Sequence, residues 1–185
     1  MASINMQKEI SQVLEVLRDG GLILYPSDTI WGIGCDATNE NAVAKIFELK
    51  QRNESKALIS LVGDKKQLMT VTNLIPKEAE SDKPTTIIYK NISRLAKNLI
   101  ANDGSAAIRI VQDYFCKQLI QEFGKPIIST SANISGENTP NQFSEISDEI
   151  RNNVDYIVNL RLNEIMRNPS DILLVNKDGS IKKIR

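Results

Sequence analysis

Hydrophobic positions change period several times along this chain, and each change predicts an element. Met6, Ile10, Val13, Leu14 and Leu17 recur every three to four residues, which predicts a helix over Asn5–Arg18, stopped by Gly20-Gly21. Leu22–Tyr25 is a short continuous apolar run with the length and residue types of a buried strand, and it breaks into Pro26-Ser27-Asp28-Thr29. Trp31-Gly32-Ile33-Gly34 then alternates bulky side chains with glycines, so one face of this second strand admits a close approach by backbone or ligand. Asn39 or Asn41 caps a second helix with the apolar face Val43, Ile46, Phe47 and Leu49, which brings Lys50 and Arg52 to its C-terminal end.

The pattern continues with Leu58–Val62 as a strand and a short helix from Asp64 to Met69. A polar loop follows over Pro76–Lys83, then a strand over Pro84–Tyr89 with proline at its first position. Ser93–Ile100 fits helix and irregular structure equally. Ala106–Val111 reads as a strand carrying Arg109 in an apolar context, Asp113–Phe123 as a helix ended by Gly124, and Pro126–Ser129 as a strand. Ser144–Arg151 predicts a helix, Tyr156–Asn159 a strand, and Ile172–Val175 with Ser180–Ile184 a hairpin around Asn176–Gly179. Interleaved strands and helices with an antiparallel end predict an α/β fold: a twisted mixed β-sheet flanked by helices, in a single domain over residues 1–185.

Composition narrows the chemistry. Apolar residues make up 41 % and charged residues 25 % of 185, ordinary proportions for a globular chain. No apolar run approaches the roughly 18 residues of a membrane span, and MASINMQKEI lacks a basic stretch followed by an apolar one, so a cytoplasmic protein is expected. The 23 basic and 23 acidic side chains cancel, yet Lys50–Lys66 sets five basic residues against Glu54 and Asp64. Such a run is either a solvated face or an anion site. There is no histidine, which removes Ser-His, Cys-His and His-metal chemistry. Cys35 and Cys116 are too few for a structural zinc site, and Cys35, with no histidine to activate it, reads as a packed strand residue.

Two clusters remain as candidate chemistry. Lys50, Arg52 and Lys56 suit phosphates, arginine as a fork and lysine as a point charge. On a continuous helix, Lys50 and Arg52 would diverge by about 200°, so they converge only if the helix ends between them. Ser129–Gly136 (STSANISG) offers hydroxyl, amide and backbone N–H groups after a strand, although such clusters are also ordinary loop composition. Neither G-x-x-x-x-G-K-[ST] nor G-x-G-x-x-G occurs, which excludes the P-loop and Rossmann fingerprints.

In order and spacing, YPSDTIWGIGCD, KQR with Lys56 behind it, PTTII, Arg109 and STSANISG resemble the YrdC-like family of threonylcarbamoyl-AMP synthases, over about Gly20 to Val175. The family's K-x-R and S-x-N motifs fall on Lys50, Arg52, Ser131 and Asn133. Departures are Ser27, Trp31, Ala57 and Val111 for threonine, tyrosine and two prolines, Asp82-Lys83-Pro84 for P-G-P, and Asp171 for the threonine of P-S-T. The resemblance implies a YrdC-like fold with a concave basic face. It implies a nucleotidyltransferase that joins L-threonine, bicarbonate and ATP, with Mg²⁺, into threonylcarbamoyl-adenylate and pyrophosphate. The product would pass to downstream threonylcarbamoyl-transferase proteins that modify adenosine 37 of tRNA.

On this reading Lys50 and Arg52 are the catalytic pair, and with Lys56, Ser131 and Asn133 they bind ATP. Ser27, Thr29, Trp31 and Arg109 face threonine and bicarbonate, with Ile33 as apolar wall. A buried ion pair is the competing explanation of Arg109, and Asp28 reads as a loop-fixing acceptor rather than a metal ligand. The attacking carbamate is already anionic, so alignment and charge neutralisation suffice without histidine. As exposed groups, Lys50 and Arg52 are expected to leave stability within about 1 kcal/mol when replaced by alanine. Two other readings stay open: a non-catalytic module that binds tRNA or duplex RNA, and a carbamoyl-adenylate-forming domain of the hydrogenase-maturation type.

Overall fold

Helix α1, Ala2–Arg18, ends where Gly20 takes up φ 72°, a left-handed turn that glycine enters without penalty. Ile10, Val13, Leu14 and Leu17 are all buried, a transfer gain on the order of 6–12 kcal/mol before conformational entropy is charged. The computed structural model describes residues 2–51, 58–176 and 179–185. Arg52, Lys56, Ala57, Lys177 and Asp178 lie outside the described residues.

The strands are β1 (Ile23–Pro26), β2 (Trp31–Gly34), β3 (Ile59–Val62), β4 (Thr85–Lys90), β5 (Ser105–Ile110), β6 (Ile127–Ser131), β7 (Tyr156–Ile157), β8 (Asp171–Val175) and β9 (Ile181–Lys183). They form one mixed sheet in the order β7-β1-β2-β6-β3-β5-β4-β8-β9. The pairs β1–β7, β3–β5 and β4–β8 are parallel and the others antiparallel. The remaining helices are α2 (Glu40–Leu49), α3 (Lys65–Leu68), α4 (Tyr114–Phe123) and α5 (Asp148–Asn152). Asn39, Asp64, Asp113 and Ser147 cap them, each side chain accepting from a backbone N–H of the first turn.

Strand alternation divides the core between the two faces of the sheet. Ile23, Tyr25, Leu61 and Ile127 pack under α1 and α4, whereas Leu24, Trp31, Ile33 and Ile128 pack with α2 on the other side. Gly34 of β2 is explained by Tyr25 and the β6 backbone rather than by a ligand. A Cβ on Gly34 would stand 2.7 Å from both the Tyr25 ring and the Ile128 carbonyl oxygen. The Tyr25 hydroxyl donates to that same oxygen at 2.8 Å.

Several elements are shorter than their apolar pattern suggests. Ser144–Arg151 splits into a 3-10 turn at Phe143–Glu145 and α5, because Ser147 turns its hydroxyl to the Ile150 N–H and starts a new helix. Ser93–Ile100 is irregular apart from a 3-10 turn at Lys97–Leu99, and the Pro76–Lys83 loop holds another at Lys77–Glu80. Among the described residues, no helix is long and apolar enough to cross a membrane.

Candidate functional site

The loop between β1 and β2 is tied down by its own hydroxyls. Ser27 is fully buried, and its Oγ donates to the Ile30 carbonyl oxygen at 2.8 Å while accepting from the Thr29 N–H at 3.2 Å. The two hydroxyls, Ser27 Oγ and Thr29 Oγ1, are 3.0 Å apart. Asp28 leaves this loop to meet Arg109 of β5: Arg109 Nη2 donates to Asp28 Oδ1 at 2.8 Å, and Asp28 Oδ2 accepts from the Gln112 N–H at 3.0 Å. Arg109 is 2 % exposed, and its Nε has no partner among the described residues. Asp28 therefore does fix the loop.

Lys50 closes α2 from the other side of the sheet. Its Nζ donates to the carbonyl oxygens of Ser131 at 2.5 Å and Asn133 at 2.6 Å, and the Ser135 N–H donates to the Lys50 carbonyl oxygen at 3.0 Å. The residue is 1 % exposed, so the expectation of an exposed lysine is corrected: burial at the end of α2 turns its ammonium toward backbone carbonyls. Asn133 spends its Nδ2 on the carbonyl oxygens of Ile134 and Glu137. Its buried Oδ1 has no partner among the described residues.

Between these two anchor points lies a cavity of about 530 Å³, within the range of small-molecule sites. It occupies the part of the α1/α4 face that the two helices leave bare. Thr29 and Ile30 line it from the loop, Thr86 and Ile88 from β4, Ala107 and Arg109 from β5, and Ser129, Thr130 and Ser131 from β6. Met166, Arg167, Ser170 and Arg185 join the lining from the C-terminal part of the chain. Among the described residues three arginines and no acidic side chain line it, which gives a concave surface suited to anions.

Of the residues singled out in the sequence, Thr29, Arg109 and Ser131 line the cavity, and Ser27, Lys50 and Asn133 support those that do. Trp31 is corrected to a core residue. It is fully buried on the opposite face of the sheet with its ring 5.1 Å from that of Phe143, and Ile33 shares that face. Arg52 and Lys56 lie outside the described residues; Leu58, which follows that stretch, lines the cavity. Asp171 does not line it, because its carboxylate pairs with Lys183 of β9 at 2.9 Å. Thr86 and Ser170, whose hydroxyls are 2.8 Å apart, also line the cavity and are not among the residues the sequence singles out. Period-two alternation would have placed Thr86 with Ile88, but Arg167 and Arg185 carry no local signal.

Neither thiol is poised for chemistry. Burial, followed by the charge of Asp36, raises the Cys35 thiol, and burial followed by Asp113 raises that of Cys116. Among the described residues no cluster of acidic or cysteine side chains could hold a metal ion.

The mixed sheet thus carries a cationic, hydroxyl-rich cavity on a partly bare face. The Sua5/YciO/YrdC family model, described as telomere recombination, matches residues 15–185. This chain belongs to that family. It is 33 % identical over 162 residues to the threonylcarbamoyl-AMP synthase of Pseudoalteromonas translucida (strain TAC 125), covering 82 % of this chain and 86 % of the relative. With the Vibrio vulnificus (strain YJ016) threonylcarbamoyl-AMP synthase it shares 29 % over 175 residues, 90 % of this chain and 94 % of the relative. A variant of P. abyssi Sua5 superposes with a TM-score of 0.84 at 25 % identity, over 95 % of this chain and 55 % of that one. E. coli YciO, at 22 % identity and TM-score 0.83, shares the fold over 97 % of this chain and 89 % of its own.

Proposed function

We propose that this protein is an L-threonylcarbamoyladenylate synthase. The observation that supports the reading is the junction at the cavity wall. The K-x-R lysine is bonded to the S-x-N backbone, while Ser131, Thr29 and Arg109 face one cationic space. The amine of threonine and bicarbonate condense to a carbamate with loss of water. One carbamate oxygen then attacks the α-phosphorus of ATP as the bond to pyrophosphate breaks. The nucleophile carries its own charge, so the protein's task is alignment and neutralisation.

In this reading Thr29 and Arg109 hold the threonine and bicarbonate end, with Ser27 fixing Thr29. Ser131, Asn133, Arg52 and Lys56 receive the nucleotide. Lys50 adds positive potential beneath Ser131, where phosphate charge collects. Mg²⁺ enters as part of the nucleotide: the described lining offers hydroxyls and no carboxylate, a set that does not hold Mg²⁺ without phosphate oxygens. The product serves N6-threonylcarbamoyl modification of tRNA through separate transferase proteins in the cytoplasm.

Pyrophosphate release from ATP and Mg²⁺, measured with threonine and bicarbonate each omitted in turn, tests the reading. Release that requires both supports it. Release that ignores either one, or that requires carbamoyl phosphate instead, overturns it.

A further inference from the structure

Arg161 adopts φ 57°, a left-handed backbone that a long side chain rarely occupies without compensation. The compensation is visible. Its Nε and Nη2 fork onto the carboxylate of Glu164 at 2.6 and 2.8 Å. Its Nη1 donates to Asp113 Oδ2 at 2.8 Å and to the Ser27 carbonyl oxygen at 3.1 Å. Three stretches distant in sequence thus meet on one guanidinium: the β1–β2 loop, the cap of α4, and the segment that runs on to Met166 and Ser170 in the cavity lining. The hydrogen bonds from Arg161 hold the Glu164 carboxyl below its usual range, and the same pair raises the guanidinium, so both stay charged.

The Arg161–Glu164 pair is partly exposed and by itself contributes little. What distinguishes the arrangement is that the fork leaves Nη1 free to bridge two other elements, which lysine's single ammonium cannot do at the same time. We propose that Arg161 is a positioning residue that staples the Ser27–Thr29 loop to the 161–170 segment and so fixes the spacing of two cavity walls. The identity of the ligand end it shapes, the amino-acid side at Thr29, rests on the synthase reading above; the staple itself does not.

A wall fixed this way discriminates substrates that differ by one methyl group, as threonine and serine do, by roughly 10–200-fold. Loosening it weakens the grip on the amino acid and leaves the nucleotide side alone.

The test compares full-length protein with Arg161→Gln and Arg161→Lys in steady-state pyrophosphate release and in amide hydrogen exchange. For Arg161→Gln the KM for threonine rises about tenfold, the preference for threonine over serine falls at least about threefold, and the KM for ATP stays within about twofold. Arg161→Lys recovers part of the loss. Exchange of the Thr29, Glu164 and Met166 amides quickens in Arg161→Gln while α1 and β5 stay protected. An equal change in both KM values with an unaltered threonine preference shows a merely structural residue and overturns the proposal. So does unchanged exchange at those three amides. Exchange needs no substrate: if the unmodified protein shows no threonine-dependent turnover, the synthase reading falls and exchange alone decides the staple.

Discussion

Lys50 Nζ donates to the carbonyl oxygen of Asn133 at 2.6 Å, a contact that joins the two motifs of the site across 83 residues of sequence. Helix α2 ends at Leu49, Lys50 caps it, and the ammonium enters the sheet interior where Ser131 and Asn133 turn their carbonyls inward. One buried and one part-buried acceptor lose their donor in Lys50→Ala, so this variant should lose about 2–4 kcal/mol of unfolding free energy as well as activity. Urea denaturation monitored by Trp31 fluorescence checks this, and a loss below about 1 kcal/mol would return Lys50 to the exposed role first expected from the sequence.

Asp28 and Arg109 form the second buried link, 2.8 Å long, with side chains 5 % and 2 % exposed. Asp28→Asn leaves a buried guanidinium without its counter-charge and should cost about 3–5 kcal/mol. Adding Arg109→Gln to Asp28→Asn should cost less than the two single changes summed, by about 2 kcal/mol, in a double-mutant cycle of chemical denaturation. Strict additivity would show that the pair is not coupled.

Gly34 tests the packing that sets up β2. The Cβ of Gly34→Ala would meet the Ile128 carbonyl oxygen and the Tyr25 ring at 2.7 Å, and the carbonyl belongs to the backbone of β6 and cannot swing aside. A destabilisation of about 2–3 kcal/mol is expected, against a smaller effect of Gly32→Ala, whose nearest neighbours stand at 3.3 Å. Thermal melts of the two variants in parallel decide it.

Much of this organisation was legible in the sequence, and what was not has a physical cause. Asn39, Asp64 and Asp113 announce their helices because capping is a local interaction. Alternation in β2 shows that Trp31 and Ile33 share a face, but not which face of the sheet two helices will leave bare. Trp31 therefore reads as a site residue from its neighbours in sequence and turns out to pack against Phe143. Lys50 illustrates the same limit: helix-end position is local information, whereas the carbonyls that receive its ammonium come from β6 and the turn after it. Arg161 and Arg185 reach the site through tertiary contacts, with Ser27 and Asp113 in the first case and with the Ser170 carbonyl oxygen in the second.

Burial of ionisable groups predicts an alkaline limit to stability. The Cys35 and Cys116 thiols are raised by desolvation, and Tyr156 is pushed up to about 12 by burial and then by Glu9. Above the ordinary thiol value of about 8.5 the unfolded chain releases protons that the folded chain keeps, so stability is full below that pH and declines as pH rises. Tyrosine adds a second decline above about pH 10. Both thiols should resist a disulfide exchange reagent at neutral pH and react fully once the protein is denatured. Rapid labelling of either in the native state would contradict the buried placement.

On the synthase proposal, one cavity brings a carbamate made from threonine and bicarbonate to the α-phosphorus of ATP. Mass spectrometry of the nucleotide product formed from ¹³C-bicarbonate and unlabelled threonine tests it most directly. The expected product is an adenylate that contains both the threonine skeleton and the labelled carbon, formed together with pyrophosphate. An AMP product that lacks either the label or the amino acid would contradict it.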